Sequence, residues 1–246
     1  LISIQISPTK LETGRLAAEK AAELLKAALA KKNRVRFIAA TGASQFEMIA
    51  HLCSIPGIDW PRTEMFHLDE YVGLSEDHPA SFRRYLRERL VERVHPGRVH
   101  YVAGDARDPH EETRRLGELI SEQPVDVAFV GIGENGHLAF NDPPADFDTE
   151  EPYLVIDLDL ACRRQQVGEG WFKGVEEVPE RAMSMSIKQI MKTEAIVCTV
   201  PDRRKAQAVH DCLSEGSEIT AAHPASILRR HPNVFVYLDA ESSSLL

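Results

Sequence analysis

"VDVAFVGIGENGHLAFNDPP", residues 125–144, decides how this chain is read. An apolar run ends in Gly131, Gly133 and Gly136, the G-x-G-x-x-G spacing of a dinucleotide-binding turn. That turn needs its glycines to open a helix, because the helix N-terminus holds the pyrophosphate. Here the glycines run into His137 and then Asn141-Asp142-Pro143-Pro144. Two prolines would remove donors and clash within a continuing helix, and no amphipathic helix fits between 137 and 152. The missing helix decides against a dinucleotide site. The glycines read instead as close approach of backbone to a ligand at a strand end. His137 projects into the same place. The chain has ten histidines, and a lone histidine is usually structural or exposed. His137 differs because Asn135 and Asp142 lie within a few positions, and a nearby carboxylate can fix a histidine's tautomer and raise its basicity.

Outward from this stretch, helical and strand patterns alternate. Residues 9–31 carry leucines and alanines at helical spacing, with Thr9 and Glu12 as a capping box. Strands are expected at 34–40, 63–68, 125–131, 153–159, 194–200 and 233–239. Helices are expected after Ser44, at 80–94, at 109–121 and at 202–213. Strands separated by helices argue for parallel βαβ units, and one domain, 1–246, is the economical division. The stretch 141–152, polar and with three prolines, is a loop and a candidate lid.

In such sheets ligands bind beyond the carboxyl ends of the strands. Thr41-Gly42-Ala43-Ser44 follows the first expected strand. It is either a plain strand–helix turn with Ser44 as N-cap, or a phosphate nest of backbone amides. Asp69 and Glu70 follow the second, as a solvated turn or as a general base at a strand end. Arg203, Arg204 and Lys205 follow "AIVCTV", as an exposed basic helix start or as a counter-charge for phosphate. Each signal is modest alone, and their joint occurrence at one rim is the stronger observation.

Bulk composition narrows the function classes. The 246 residues carry a net charge of −9, which makes a poor general nucleic-acid binder because phosphate neutralisation needs a cationic face. The four cysteines show no C-x-x-C pair and no zinc spacing, so a reduced, cytoplasmic protein without a metal is expected. No apolar stretch approaches the ~18 residues of a membrane span, so no membrane partner is expected.

Together "ATGAS", "FHLDEYVGL", "HPASFRRYL", "VGIGENGHLAFNDP" and "HPNVFVYLD" resemble the glucosamine-6-phosphate deaminase/isomerase family, in order and spacing along nearly the whole chain. The related 6-phosphogluconolactonases share the layout, but "HLAFN" favours the deaminase branch. The resemblance implies a Rossmann-like three-layer α/β fold with a mostly parallel central sheet and helices on both faces. It implies a small sugar phosphate as partner and no cofactor, and leaves room for a homo-oligomer. The implied reaction converts glucosamine 6-phosphate and water to fructose 6-phosphate and ammonia. Alternatives are a related sugar-phosphate isomerase, a lactonase, or a non-catalytic sugar-phosphate binder.

Residue by residue, the resemblance makes Asp69 the proton-shuttling carboxylate and His137 the ring-opening acid–base group. It makes Asp142 the support of that histidine. Thr41, Gly42, Ala43 and Ser44 become the phosphate loop, with Gly131, Gly133 and Gly136 beside it, and Lys205 a phosphate-binding lysine. Three departures stand out. Asn135 replaces the family's aspartate, and asparagine carries no charge. Asp142 is one methylene shorter than the usual glutamate. Gly170 stands where many members have a basic residue, with Arg163, Arg164 and Arg204 as candidate substitutes.

Overall fold

The computed structural model describes residues 2–246. Its elements run in chain order as β1 (Ser3–Ser7), α1 (Lys10–Leu29), β2 (Val35–Ala39), α2 (Phe46–Leu52), β3 (Thr63–His67), β4 (Asp69–Tyr71) and α3 (Phe82–Leu86). A π-helical stretch, Arg87–Val91, joins α3 to α4 (Glu92–Val94). Then come β5 (Arg98–His100), α5 (Pro109–Ser121), β6 (Val127–Val130), β7 (Tyr153–Asp157), α6 (Leu160–Gly168), β8 (Arg181–Met185), α7 (Ile187–Met191), β9 (Ala195–Val200), α8 (Ala206–Leu213) and β10 (Val234–Asp239).

Seven strands form the central sheet in the order β1-β10-β9-β6-β2-β3-β5, and every pair is parallel. Helices cover both faces, because the central strands are apolar on both sides. In β2, Phe37 and Ala39 pack with α1 and α2 on one face, while Ile38 joins the opposite core. In β9, Val197 faces the first core, and Ile196 and Cys198 the second. The fold is therefore the three-layer α/β arrangement expected, and no helix among the described residues is long and apolar enough to cross a membrane.

Several local expectations need correction. Residues 153–157 do form a strand, but not a parallel βαβ one. It belongs to a separate antiparallel sheet, β4-β8-β7. Asp69 and Glu70 are not a solvated turn: they are strand residues, 5% and 0% exposed. The chain leaves the central sheet at Leu68, whose carbonyl accepts from Met185 N at 2.9 Å, and pairs Asp69 with Ser184. The capping box is half made. Thr9 Oγ1 accepts from Glu12 N at 3.3 Å, but Glu12 turns to Arg15. Ser44 is not an N-cap. Gly42 begins the 3-10 turn Ala43–Gln45, and no side chain caps α2. The stretch 141–152 is irregular, as expected.

Candidate active site

On one side of β2 the sheet continues through β3 and β5; on the side of β6 it continues through β9, β10 and β1. The loops that follow β2 and β6 therefore diverge, and a crevice opens between them at the topological switch point. The crevice encloses about 530 Å³, part of it open to solvent.

One wall is the loop after β2. Thr41, Gly42, Ala43 and Ser44 all line the cleft. Gly42 has φ +95°, a left-handed conformation natural only to glycine. Among the described residues, the N–H groups of 41–44 make no backbone hydrogen bond, which leaves them as a concave donor set suited to an anion. Buried Gln45 ties this loop to the sheet. Its Nε2 donates to the carbonyls of Val130 and Thr199 at 3.3 and 3.4 Å.

The glycines after β6 have three different reasons. A Cβ on Gly131 would stand 3.0 Å from Ser44 Oγ, so this glycine lets the two loops approach. A Cβ on Gly133 would meet the His137 ring at 2.3 Å, so Gly133 makes room for the imidazole. Gly136 has φ +85° and packs towards Cys212 and Pro224. Unlike the other two, it does not line the cleft.

His137 lines the cleft and is 7% exposed. Asn135 and Asp142 stand behind it. Asn135 Oδ1 accepts from His137 N, and Asn135 Nδ2 donates to Asp142 Oδ1, both at 3.1 Å. Asp142 Oδ2 accepts from Asp159 N at 3.3 Å. Burial works against the Asp142 charge, but His137, Asn135 and the Asp159 amide outweigh it and hold the carboxyl below its usual range. The His137 Nδ1 to Asp142 Oδ1 distance is 3.1 Å, yet the two are not aligned for a hydrogen bond. The contact is a close approach rather than a formed donor–acceptor pair.

Asp69 enters from the opposite wall. Burial, and then the neighbouring Glu70 charge, push its carboxyl up to about 8. Its Oδ1 is buried without a partner. Glu70 is also raised by burial, yet it accepts from Ser81 Oγ at 2.7 Å and Arg83 N at 2.8 Å, as well as from the amides of Tyr71 and Phe82. Adjacent carboxyls thus have separate jobs. Glu70 holds the start of α3, while Asp69 keeps a carboxyl oxygen without a partner.

Lys205 reaches the cleft from the turn before α8 and is 6% exposed. Sequence reasoning missed its counter-ion, Glu169, at 3.5 Å. Glu169 is fixed by Gln165 Nε2 at 2.8 Å and Trp171 Nε1 at 3.2 Å. Gln165, Gln166 and Glu169 line the cleft from α6 and its C-terminus. Their signal was Asp159, a helix N-cap whose side chain accepts from Cys162 N. Of the candidate substitutes for the basic residue absent at Gly170, Arg163 is spent on the carbonyls of Val175 and Val178, and Arg164 is exposed. Arg204 stands at the rim, 3.5 Å from Glu134 on the glycine loop and beside Gly168.

Residues 8–236 match the family described as glucosamine-6-phosphate isomerases/6-phosphogluconolactonase. The chain belongs to this family. A glucosamine-6-phosphate deaminase of Exiguobacterium sibiricum is 38% identical over 77% of this chain and 73% of its own. One from Thermoanaerobacter pseudethanolicus is 32% identical over 93% and 90%. Among solved structures, a monomeric glucosamine-6-phosphate deaminase superposes with a TM-score of 0.89 at 28% identity, over 99% of this chain and 100% of that one. A 6-phosphogluconolactonase of Thermotoga maritima reaches 0.78 at 17% identity over 97% and 99%, a likeness of fold. Within the family fold, Asp69, His137, the loop 41–44 and Lys205 are four separate chain segments brought to one cleft.

Proposed function

We propose that the chain is a glucosamine-6-phosphate deaminase, acting as one domain on a free amino-sugar phosphate. The observation that carries this reading is the pair of proton-handling groups in one cleft: Asp69 raised to about 8, and His137 backed by an ionised Asp142. Deamination needs both. The ring opens when a proton moves between the anomeric hydroxyl and the ring oxygen, the task assigned to His137. Asp69 then takes the proton from C2 of the open-chain aldehyde and returns it at C1, while the amine gives up one proton and the aldehyde oxygen gains one. The product is an imine at C2, which water hydrolyses to the ketone of fructose 6-phosphate as ammonia leaves. A carboxyl with a pKa near neutrality suits both halves of the proton transfer. The amides of 41–44 and Lys205 receive the phosphate, with Arg204 as the additional rim cation. The four free cysteines, three of them buried, suit a reducing, cytoplasmic setting.

The test is to mix purified protein with glucosamine 6-phosphate and measure ammonia and fructose 6-phosphate. Equal amounts of both are expected. Binding without either product would point to a sensor; lactone hydrolysis without ammonia would point to the other branch of the family.

A further inference from the structure

His137, Asp142 and Cys162 present an imidazole nitrogen, a carboxylate oxygen and a thiol sulfur, all within 4.8 Å of one another. His137 Nδ1 is buried and makes no hydrogen bond, and it faces Asp142 Oδ1 at 3.1 Å. Cys162 lies in the first turn of α6, just past the Asp159 cap, and is buried. We propose that these three residues form an inhibitory site for zinc.

The donor set selects the ion. Nitrogen and sulfur in a three-ligand group suit zinc and disfavour magnesium or calcium, which take oxygen. Around a tetrahedral zinc, bonds of about 2.0–2.3 Å put ligand atoms roughly 3.3–3.7 Å apart. The trio reaches that spacing by side-chain movements of about 1 Å. Of the three, His137 alone lines the cleft, so the ion sits behind the imidazole, on its buried Nδ1 side. Burial, and then Asp142 and Asp159, hold the thiol well above its ordinary range, so the empty site keeps its proton. Binding forms a zinc–sulfur bond and releases the thiol proton to solvent. Zinc on Nδ1 ties up the imidazole that the proposed reaction uses for ring opening. The inhibition rests on that reading of His137; the binding does not.

Two measurements test the site. Cobalt(II), a spectroscopic stand-in for zinc, is titrated into the metal-free protein. A thiolate-to-cobalt charge-transfer band in the near ultraviolet is expected, and zinc should abolish it. Separately, ammonia release is measured against zinc concentration for the wild type and for Cys162→Ser, in which the hydroxyl can still donate to Asp142. The variant should keep the basal rate and need at least about tenfold more zinc for half-inhibition. If it folds poorly, Cys162→Ala takes its place, and the cobalt band needs no variant. Absence of the band in the wild type, or equal zinc sensitivity in both proteins, overturns the proposal. A band in a protein that releases no ammonia would uphold the site and sink the deaminase reading.

Discussion

Replacing Asn135 with aspartate restores the residue the family resemblance puts there, and the geometry predicts that it harms this protein. Asn135 Nδ2 donates to Asp142 Oδ1 at 3.1 Å. An ionised aspartate cannot donate, so a hydrogen bond to a charged acceptor is lost, worth about 1.5–3 kcal/mol. Two carboxylates at 3.1 Å also repel by about 5 kcal/mol at an effective dielectric of about 20. The variant relieves this by holding a proton between them, up to about 4 pH units above the ordinary carboxylate value. Below about pH 7 the proton restores the donor, and Asn135→Asp should approach wild-type activity. At pH 9 both groups ionise, Asp142 loses its alignment behind His137, and kcat/KM should fall roughly 10- to 100-fold below wild type. The assay is ammonia release from glucosamine 6-phosphate between pH 6 and 9. The folding signs agree: a carboxyl raised in the folded state stabilises at low pH and loses that contribution as pH rises through its folded pKa. The variant's thermal midpoint should therefore fall relative to wild type as pH rises. A kcat/KM at pH 9 equal to or above wild type would refute the reasoning, and show that the amide's donation does not order the site.

Asp69→Asn should cost about 100- to 10,000-fold in kcat with substrate binding largely kept; near-normal turnover would remove Asp69 from the mechanism. With its carboxyl raised to about 8, wild-type kcat/KM should climb as pH rises through that value and the base form appears, a limb the variant lacks. Stability follows the opposite sign, present at acid pH and lost as pH rises through about 8, so the variant's thermal midpoint should exceed wild type by a margin that grows over that window. Gly133→Ala puts a methyl 2.3 Å from the His137 ring, and displacing the imidazole should lower kcat roughly 100-fold; an unchanged kcat would show that the ring tolerates the shift. Lys205→Ala should raise KM for phosphorylated sugar far more than for the unphosphorylated one, and Glu169→Gln should lower it about fivefold. Steady-state kinetics with the two sugars decides both.

Five of the seven central strands and the identity of the site's main walls were legible in the sequence, because β-branched runs and glycine punctuation are local signals, while β1 and the three-residue β5 were not. What escaped depended on tertiary context. Ser3–Ser7 is an edge strand with four of its five residues exposed, and "RAMSM" of β8 is poor in β-branched residues, so neither has a strong strand pattern. The burial of Asp69 follows from pairing with Ser184, more than a hundred positions away, and nothing near "LDEY" announces it. The glycine spacing was legible as a ligand loop, but only coordinates separate Gly133, which clears space for His137, from Gly136, which turns the chain elsewhere. The three departures from the family pattern showed as isolated oddities. Two of them prove coupled, because the amide of Asn135 reaches the shortened Asp142 and supplies a donor that an aspartate could not.

The third departure concerns charge. A phosphate needs compensation, yet the one buried lysine of the cleft already has a carboxylate neighbour. Glu169 is fixed by two donors, and its contact with Lys205 is long at 3.5 Å. The lysine, with four rotatable bonds and a single loose partner, is the mobile member of the pair. Glu169 therefore acts as a parked counter-ion. It lowers the cost of keeping Lys205 buried while the cleft is empty, and under the proposed function it competes with phosphate once substrate arrives. Compensation then falls on groups that carry no such competitor, the open amides of 41–44, whose dipoles are set by the backbone and need no reorganisation to meet an anion. Under the proposed function, phosphate recognition rests more on loop conformation, and hence on the left-handed Gly42, than on the cation count a sequence comparison would tally.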